Sequence, residues 1–204
     1  VNTNQDGLTA AAPRPVVWMT GLPGAGKTTI ARALFETLQN LNAKAIVLDG
    51  DTLRAGICSD LGFSEADRIE NIRRIAHLAK LFQQEGYVVI VATISPFAQQ
   101  RALARSIVGD GFIETFISAP AQLCAERDPK GMYAQAREGR IQQFTGVSSP
   151  YEPPVEPELV IDTSACRVEG AVATIVLRLG KGVRGRHEAK RATLTFPTAQ
   201  KGRL

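Results

Sequence analysis

Gly21-Leu22-Pro23-Gly24-Ala25-Gly26-Lys27-Thr28 fits the pattern G-x-x-x-x-G-K-[ST], and its surroundings decide what the match means. Ahead of it stands the apolar run Val16-Val17-Trp18-Met19; behind it, residues 29–38 place Ile30, Leu34 and Leu38 on one face of a helix. Strand, glycine loop and helix are the context a P-loop requires. The glycines let successive backbone N–H groups turn toward a polyphosphate, and the helix N-terminus adds partial positive charge. Lys27 then reaches the β/γ-phosphates, and the Thr28 hydroxyl takes a place on Mg²⁺. A plain tight turn would need the glycines but not the Lys-Thr pair that follows them. The stretch reads as a nucleotide-phosphate site, with Lys27 expected in a solvated loop.

Outward from the loop, the chain alternates strands and helices. Lys44-Ala45-Ile46-Val47-Leu48 is a second strand, ending on Asp49-Gly50-Asp51. A helix is expected over 64–85, with Ile69, Ile72, Ile75, Leu78 and Phe82 as its buried stripe and Gly86 as its stop. Residues 87–94 are apolar throughout, as in a strand covered on both faces, and end on Ser95-Pro96, where another helix is expected to begin. Residues 112–117 and 158–161 supply two more strands, and 168–179 a closing helix. This order predicts an α/β fold: a P-loop NTPase-type parallel sheet of about five strands with helices on both faces. Ligands in such a sheet sit beyond the carboxyl ends of the strands, where Gly21, Asp49, Asp51 and Ser95 all fall.

The 204 residues suit one domain over 16–179, with a small polar tail or linker over 1–15 and a basic extension over 180–204. Much of the net charge of +4 sits in that extension, so it says little about nucleic acid, and none is expected as a partner. No run suits a membrane span or a secretory leader. Cys58, Cys124 and Cys166 show neither metal-ligand spacing nor a disulfide framework, so a reducing cytoplasm is expected.

Asp49 and Asp51 can hold Mg²⁺, directly or through water, or accept a proton from an attacking hydroxyl; the plainer reading is a turn in which Asp51 caps the following helix. The strand tip at Ile94-Ser95 carries no acid, which shifts metal or base duty toward Asp51. Arg54 and Arg68 suit an anionic substrate because a guanidinium donates two parallel bonds. Arg73, Arg74 and His77 read as surface groups. From Arg127 to Gly146 a basic, glycine-punctuated segment has the composition of a mobile lid, or of an exposed helical hairpin.

Together these segments resemble the adenylylsulfate (APS) kinase family, whose members use MgATP to phosphorylate the 3′-hydroxyl of adenosine 5′-phosphosulfate in sulfate assimilation. The resemblance rests on Gly21 to Thr29, Leu48-Asp49-Gly50-Asp51, Asp60-Leu61-Gly62-Phe63-Ser64 and Asp67-Arg68-Ile69-Glu70-Asn71-Ile72-Arg73-Arg74. It extends to Ile94-Ser95-Pro96, Arg127-Asp128-Pro129-Lys130-Gly131, Phe144-Thr145-Gly146-Val147 and Pro150-Tyr151-Glu152. It implies that Gly21, Leu22, Pro23, Gly24, Ala25, Gly26, Lys27, Thr28 and Thr29 bind ATP, with Arg127 against its adenine. It places Asp49, Arg54, Phe63, Arg68, Asn71, Ile94, Ser95, Lys130 and Phe144 on APS, with Phe63 and Phe144 stacking around the adenine. Lys27, Asp51 and Ser95 are the implied catalytic residues, and Thr28 and Asp51 the Mg²⁺ residues. A homodimer is implied, and an ATP sulfurylase domain or partner accompanies some members.

Ser95 stands at the family's phosphoserine position, but a serine hydroxyl without an evident base is a poor nucleophile. Direct in-line transfer, with Ser95 binding substrate phosphate, is the reading taken here. Pro23 and Met132 depart from the family's usual Ser and Leu. The rival readings are a P-loop kinase of another small hydroxyl compound, and an inactive ATP-binding domain of a larger sulfurylase–kinase chain. A GTP switch lacks support, since no Asn/Thr-Lys-x-Asp stretch is present.

Overall fold

The computed structural model describes residues 13–128, 131–141 and 143–191, with side chains as far as 180. Lys130, residues 1–12 of the expected N-terminal tail and 192–204 of the basic extension lie outside the described residues. The elements run β1 (Val16–Thr20), α1 (Lys27–Asn40), β2 (Ala45–Asp49), α2 (Gly50–Ala55), α3 (Glu65–Gln84), β3 (Val88–Ala92), α4 (Ala98–Val108), β4 (Phe112–Ser118), α5 (Ala121–Arg127), α6 (Met132–Arg137), β5 (Leu159–Asp162) and α7 (Val168–Arg191).

All five strands are parallel, in the order β2-β3-β1-β4-β5. β1 and β3 are buried at every position because both faces of the sheet are covered. The period-2 alternation sorts β1 cleanly. Val17 and Met19 pack with Ile30, Leu34 and Leu38 of α1 and Ile175 of α7, while Val16 and Trp18 pack with Ile72, Ile75 and Ala79 of α3 and Ala104 of α4. From β1 the chain crosses to β2 on one side, returns through β3, then crosses to β4 on the other side. The crevice between β1 and β3 is therefore the place where successive connections part, which is where such sheets bind ligands.

Local chemistry sets the boundaries. Ser64 caps α3 through its hydroxyl, which accepts from the Asp67 N–H at 3.1 Å, and Glu65 and Asp67 complement the helix dipole. Gly86, at φ 84°, turns the chain out of α3 into β3. The end of the expected tail is fastened: the Gln83 carboxamide donates to Arg14 O at 2.7 Å, and Val89 N donates to Pro15 O at 3.1 Å. Three boundaries differ from expectation. β3 stops at Ala92, so Ser95 does not end the strand; α4 starts at Ala98, so Pro96 does not begin the helix; and α7 continues past 179 to Arg191.

The glycine loop is wedged under the β4 side of the sheet. A Cβ on Gly21 (φ 150°) would lie 2.3 Å from Ile117 O, and one on Gly24 (φ 76°) 2.6 Å from Cys124 O. Both obstacles are backbone, which cannot swing aside. Gly24→Ala is therefore expected to destabilise the fold by more than about 1 kcal/mol, and to weaken nucleotide binding, because the loop must move away from α5. Thermal unfolding of the variant beside the unsubstituted chain measures the loss.

Candidate active site

A cavity of about 1160 Å³ opens at the carboxyl ends of the strands. That exceeds the roughly 300–1,000 Å³ of a site for one small ligand. One wall is the glycine loop and the start of α1; the opposite wall carries Arg54, Phe63, Arg68 and Asn71, and Ser95 lies between.

Gly26, in the left-handed conformation, stands at the N-cap of α1 with no side chain to close the helix end. Lys27 is the first residue of α1. It is only 9 % exposed, rather than solvated as expected, and its ammonium donates to Gly21 O at 2.8 Å and Leu22 O at 2.9 Å. The ammonium is thus stored against the loop's own carbonyls. Gly21, Leu22 and Ala25 shape the loop from behind and do not line the cavity, whereas Pro23, Gly24, Gly26, Thr28 and Thr29 do. Pro23 contributes through its carbonyl, which accepts from the Tyr133 hydroxyl at 3.0 Å and ties α6 to the loop.

The acidic turn divides its labour differently from expectation. Asp49, not Asp51, caps α2: its Oδ1 accepts from the N–H groups of Asp51 (3.1 Å) and Thr52 (3.3 Å). Its Oδ2 accepts from the Thr28 hydroxyl at 2.8 Å, joining the two halves of the site. Asp51 lies exposed in the first turn of α2. These are hard oxygen donors, as Mg²⁺ prefers. Among the described residues no group of three or more His, Cys, Asp or Glu side chains assembles.

Ser95 is 1 % exposed and has φ 38°, uncommon for a residue with a side chain. Its carbonyl accepts from Arg101 at 2.9 Å and from Thr20 at 3.3 Å, and its Oγ accepts from the Trp18 indole at 3.2 Å. Arg101 is in turn fixed by Glu114 at 2.7 Å. These bonds offset the roughly 1–3 kcal/mol of such a backbone conformation. Glu152 occupies the N-terminus of α4, accepting from Ala98 N at 2.7 Å. Tyr151 beside it meets Thr20 at 3.0 Å, and burial pushes its phenol up to about 12, so it stays protonated near neutral pH.

On the far wall Phe63 is 57 % exposed and carries two guanidinium groups, Arg54 at 4.6 Å and Arg68 at 5.7 Å from the ring centre. Burial lowers the pKa of both arginines. Arg68 also donates to Phe63 O (3.0 Å), Gln143 O (2.5 Å) and Thr145 Oγ1 (3.3 Å). Asn71 is 4 % exposed, and its Oδ1 has no hydrogen-bond partner among the described residues. A buried orphan acceptor on a cavity wall is what a ligand donor would satisfy.

Arg73 is exposed, as expected of a surface group, whereas Arg74 is partly buried among ion-pair partners, and neither lines the cavity. Arg74 grips Asp60 at 2.6 Å and both arginines grip Glu70, holding its carboxyl down to about 2. The structure does not bring Phe144 to Phe63. Phe144 is buried edge-on against Tyr133, 5.0 Å between ring centres, and is not among the lining residues.

Several lining or supporting residues gave no sequence signal. Thr163, after β5, accepts from Arg127 at 2.9 Å and donates to Ala25 O at 3.0 Å, linking the expected adenine-side arginine to the loop. Gln100 lines the cavity, 1 % exposed, with an unpartnered Nε2. Glu152 stands within Pro150-Tyr151-Glu152, but its capping duty joins residues 54 apart in sequence.

A strand, a left-handed glycine loop, a Lys-Thr helix start and an acidic turn around one cavity define a P-loop phosphotransferase. The adenylylsulphate kinase family model matches residues 14–162, and the chain belongs to that family. An adenylyl-sulfate kinase of Paraburkholderia xenovorans is 52 % identical over 170 residues, covering 83 % of this chain and 95 % of its own. One from Pseudomonas aeruginosa is 50 % identical, covering 79 % and 83 %. The APS kinase of Mycobacterium tuberculosis in complex with AMPPNP and APS superposes with a TM-score of 0.79 at 43 % identity, covering 84 % of this chain and 99 % of that one. A hexameric APS kinase from Thiobacillus denitrificans gives a TM-score of 0.64 at 32 % identity, covering 84 % and 29 %. The chain is an ATP-dependent phosphotransferase of this family.

Because Lys27 is buried, truncation to Ala would leave a void beside the loop, and Lys27→Met separates charge from packing. Lys27→Met is expected to lower turnover by about 10²-fold or more while the melting temperature moves little. Coupled ADP release and thermal unfolding, measured on the same preparation, check both halves.

Proposed function

We propose that the cavity holds ATP on the glycine-loop side and adenosine 5′-phosphosulfate on the Arg54–Phe63–Arg68 side, for transfer of the γ-phosphate to the 3′-hydroxyl. The observation that carries this reading is the pairing, across one cavity, of a P-loop with two stacked arginines and an orphan Asn71 acceptor. The family membership and the ligands of the Mycobacterium tuberculosis relative support it.

In this reading the loop N–H groups and the start of α1 cradle the polyphosphate, and Lys27 leaves the Gly21 and Leu22 carbonyls for its terminal oxygens. Thr28, Asp49 and Asp51 would hold Mg²⁺ together with phosphate oxygens and water; the ion supplies neutralisation of charge on the transferred group. Asp51 takes the proton of the attacking hydroxyl or steadies the ion's water shell. Arg127, held by Thr163, lies against the ATP adenine. Arg54 and Arg68 grip the phosphosulfate, with Phe63 under the acceptor's base and Ile94, Ser95 and Asn71 completing its contacts. Phe144, edge-on against Tyr133, anchors the segment proposed as a lid. The lid moves by releasing Tyr133 from Pro23 and Arg68 from Gln143.

Ser95 binds and does not carry the phosphoryl group. Its hydroxyl faces no His, Lys or carboxylate partner among the described residues, which supports direct transfer. Ser95→Ala should therefore leave APS-dependent ADP production reduced by about tenfold, not eliminated. Rapid-quench mass spectrometry that found a kinetically competent phosphoserine would replace direct transfer with a two-step route.

A homodimer is proposed on the exposed Val160 and Leu177, 59 % and 67 % accessible, and a hexamer is the outcome that light scattering would set against it. An attached or partner ATP sulfurylase is proposed on the family resemblance alone. A cytoplasmic setting is proposed on the three free cysteines; no helix of the described residues is long and apolar enough to cross a membrane.

For the acceptor side, Arg68→Ala is expected to raise the APS KM by about one to two decades and to leave the ATP KM within about twofold. Equal weakening of both nucleotides would reassign Arg68 to fastening the 143–145 segment. A panel of other small hydroxyl acceptors in the same assay tests the rival substrate class.

A further inference from the structure

β1 carries the chain's one tryptophan. Trp18 is fully buried, stacked on Phe112 with 5.6 Å between ring centres, and its indole N–H reaches Ser95 Oγ at 3.2 Å. An indole N–H can only donate. The bond therefore takes an acceptor site on Ser95 Oγ, and the serine proton has to point elsewhere. Among the described residues no oxygen accepts it. The Ser95 backbone has little freedom to turn the side chain another way, since Thr20 holds Ile94 O at 2.7 Å and Arg101 holds Ser95 O. Ser95 is among the residues that line the cavity, and no protein group among the described residues takes the proton of its hydroxyl.

We propose that Trp18 is a positioning residue for the acceptor nucleotide: by donating to Ser95 Oγ it turns the serine proton into the cavity, so that Ser95 donates to an anionic oxygen of the bound phosphosulfate. The proposal rests on the reading of Ser95 as an acceptor-binding residue given above. An unconstrained hydroxyl would rotate, accepting from some groups and donating to others. With the indole in place the site offers a donor of fixed direction, which favours an anion over a neutral acceptor group. Trp18 touches no substrate, yet it reports occupancy, because any pull on the serine proton changes the oxygen to which the indole is bonded.

The test uses the full chain as Trp18→Phe, Ser95→Ala and the double variant, with KM measured for APS and for ATP. Trp18→Phe keeps the ring stack on Phe112 and removes the donor. It is expected to raise the APS KM about three- to tenfold with the ATP KM within about twofold, the range of one neutral hydrogen bond. In the Ser95→Ala background the same substitution should add less than about twofold, since its effect travels through the missing hydroxyl. A merely structural tryptophan would give additive losses, or equal losses for both nucleotides, and either result overturns the proposal.

The single indole N–H resonance of the ¹⁵N-labelled protein gives a readout that needs no change at Trp18. It should move on saturation with APS, and in Ser95→Ala it should start displaced and no longer respond. An indole signal indifferent to Ser95→Ala overturns the proposal even if Trp18→Phe does not fold. Ser95→Ala without effect on the APS KM would instead sink the acceptor-binding reading of Ser95. A rise with Ser95→Ala but none with Trp18→Phe sinks this proposal alone.

Discussion

Two backbone carbonyls govern where the rest of the site can be. Ile117 O at the end of β4 and Cys124 O in α5 sit so close to Gly21 and Gly24 that no side chain fits between. The glycine loop is thereby clamped to the β4 side of the sheet. Thr163 adds a third tie from beyond β5. On this side the loop is hemmed in by backbone at Gly21 and Gly24, and Thr163, Tyr133 and Lys27 bond to its carbonyls. The opposite side is held by side chains, with Asp60 and Glu70 gripping Arg74 and Arg68 reaching Gln143. A site that must keep a polyphosphate in register while admitting a second nucleotide benefits from that asymmetry.

The strands and their order of use were legible because covered strands read as unbroken apolar runs, and because Gly, Ser and Asp mark their ends. The order of the strands in the sheet follows from crossover geometry more than from any one residue. What could not be read was which member of a local pair performs a task. Asp49 and Asp51 are equivalent in composition, but only the backbone turn at Gly50 decides which one faces the α2 N-terminus. Ser95-Pro96 looks like a helix start; the chain instead continues to Phe97 before coiling, and Glu152, remote in sequence, serves as the cap. Lys27 reads as solvated because lysine usually is, yet the loop's carbonyls give its ammonium a buried seat. Phe63 and Phe144 matched the same expectation by type, and tertiary packing sent one outward and the other into the core.

The buried charges are arranged around Ser95 and not around stability alone. A buried ion pair is a weak stabiliser, since desolvation offsets most of its attraction. Glu114 nevertheless fixes Arg101 so that its other nitrogen meets the Ser95 carbonyl. Glu158 takes two bonds from Arg105 and one from Glu114 N, which sets β5 against β4 in the correct register. The orphan atoms on Asn71 and Gln100 lie on the same cavity, outside this satisfied network. Among the described residues the two buried side-chain atoms without a hydrogen-bond partner both belong to residues that line the cavity.

Arg54 and Arg68 lie against Phe63 with only carbonyl and hydroxyl partners, and no carboxylate forms an ion pair with either among the described residues. Asp51 and Asp67 lie close enough to temper the charge of Arg54, whereas no carboxylate among the described residues does so for Arg68, and that positive charge extends into the mouth of the cavity. Field lines from such a pair reach about a Debye length, roughly 8–10 Å at physiological salt, before counter-ions quench them. A dianionic nucleotide diffusing past would be drawn toward the acceptor side before it touched any residue. Capture, and not only retention, would then be a property of that wall, and the encounter rate would fall as salt is added while the intrinsic chemistry of transfer stayed as it was.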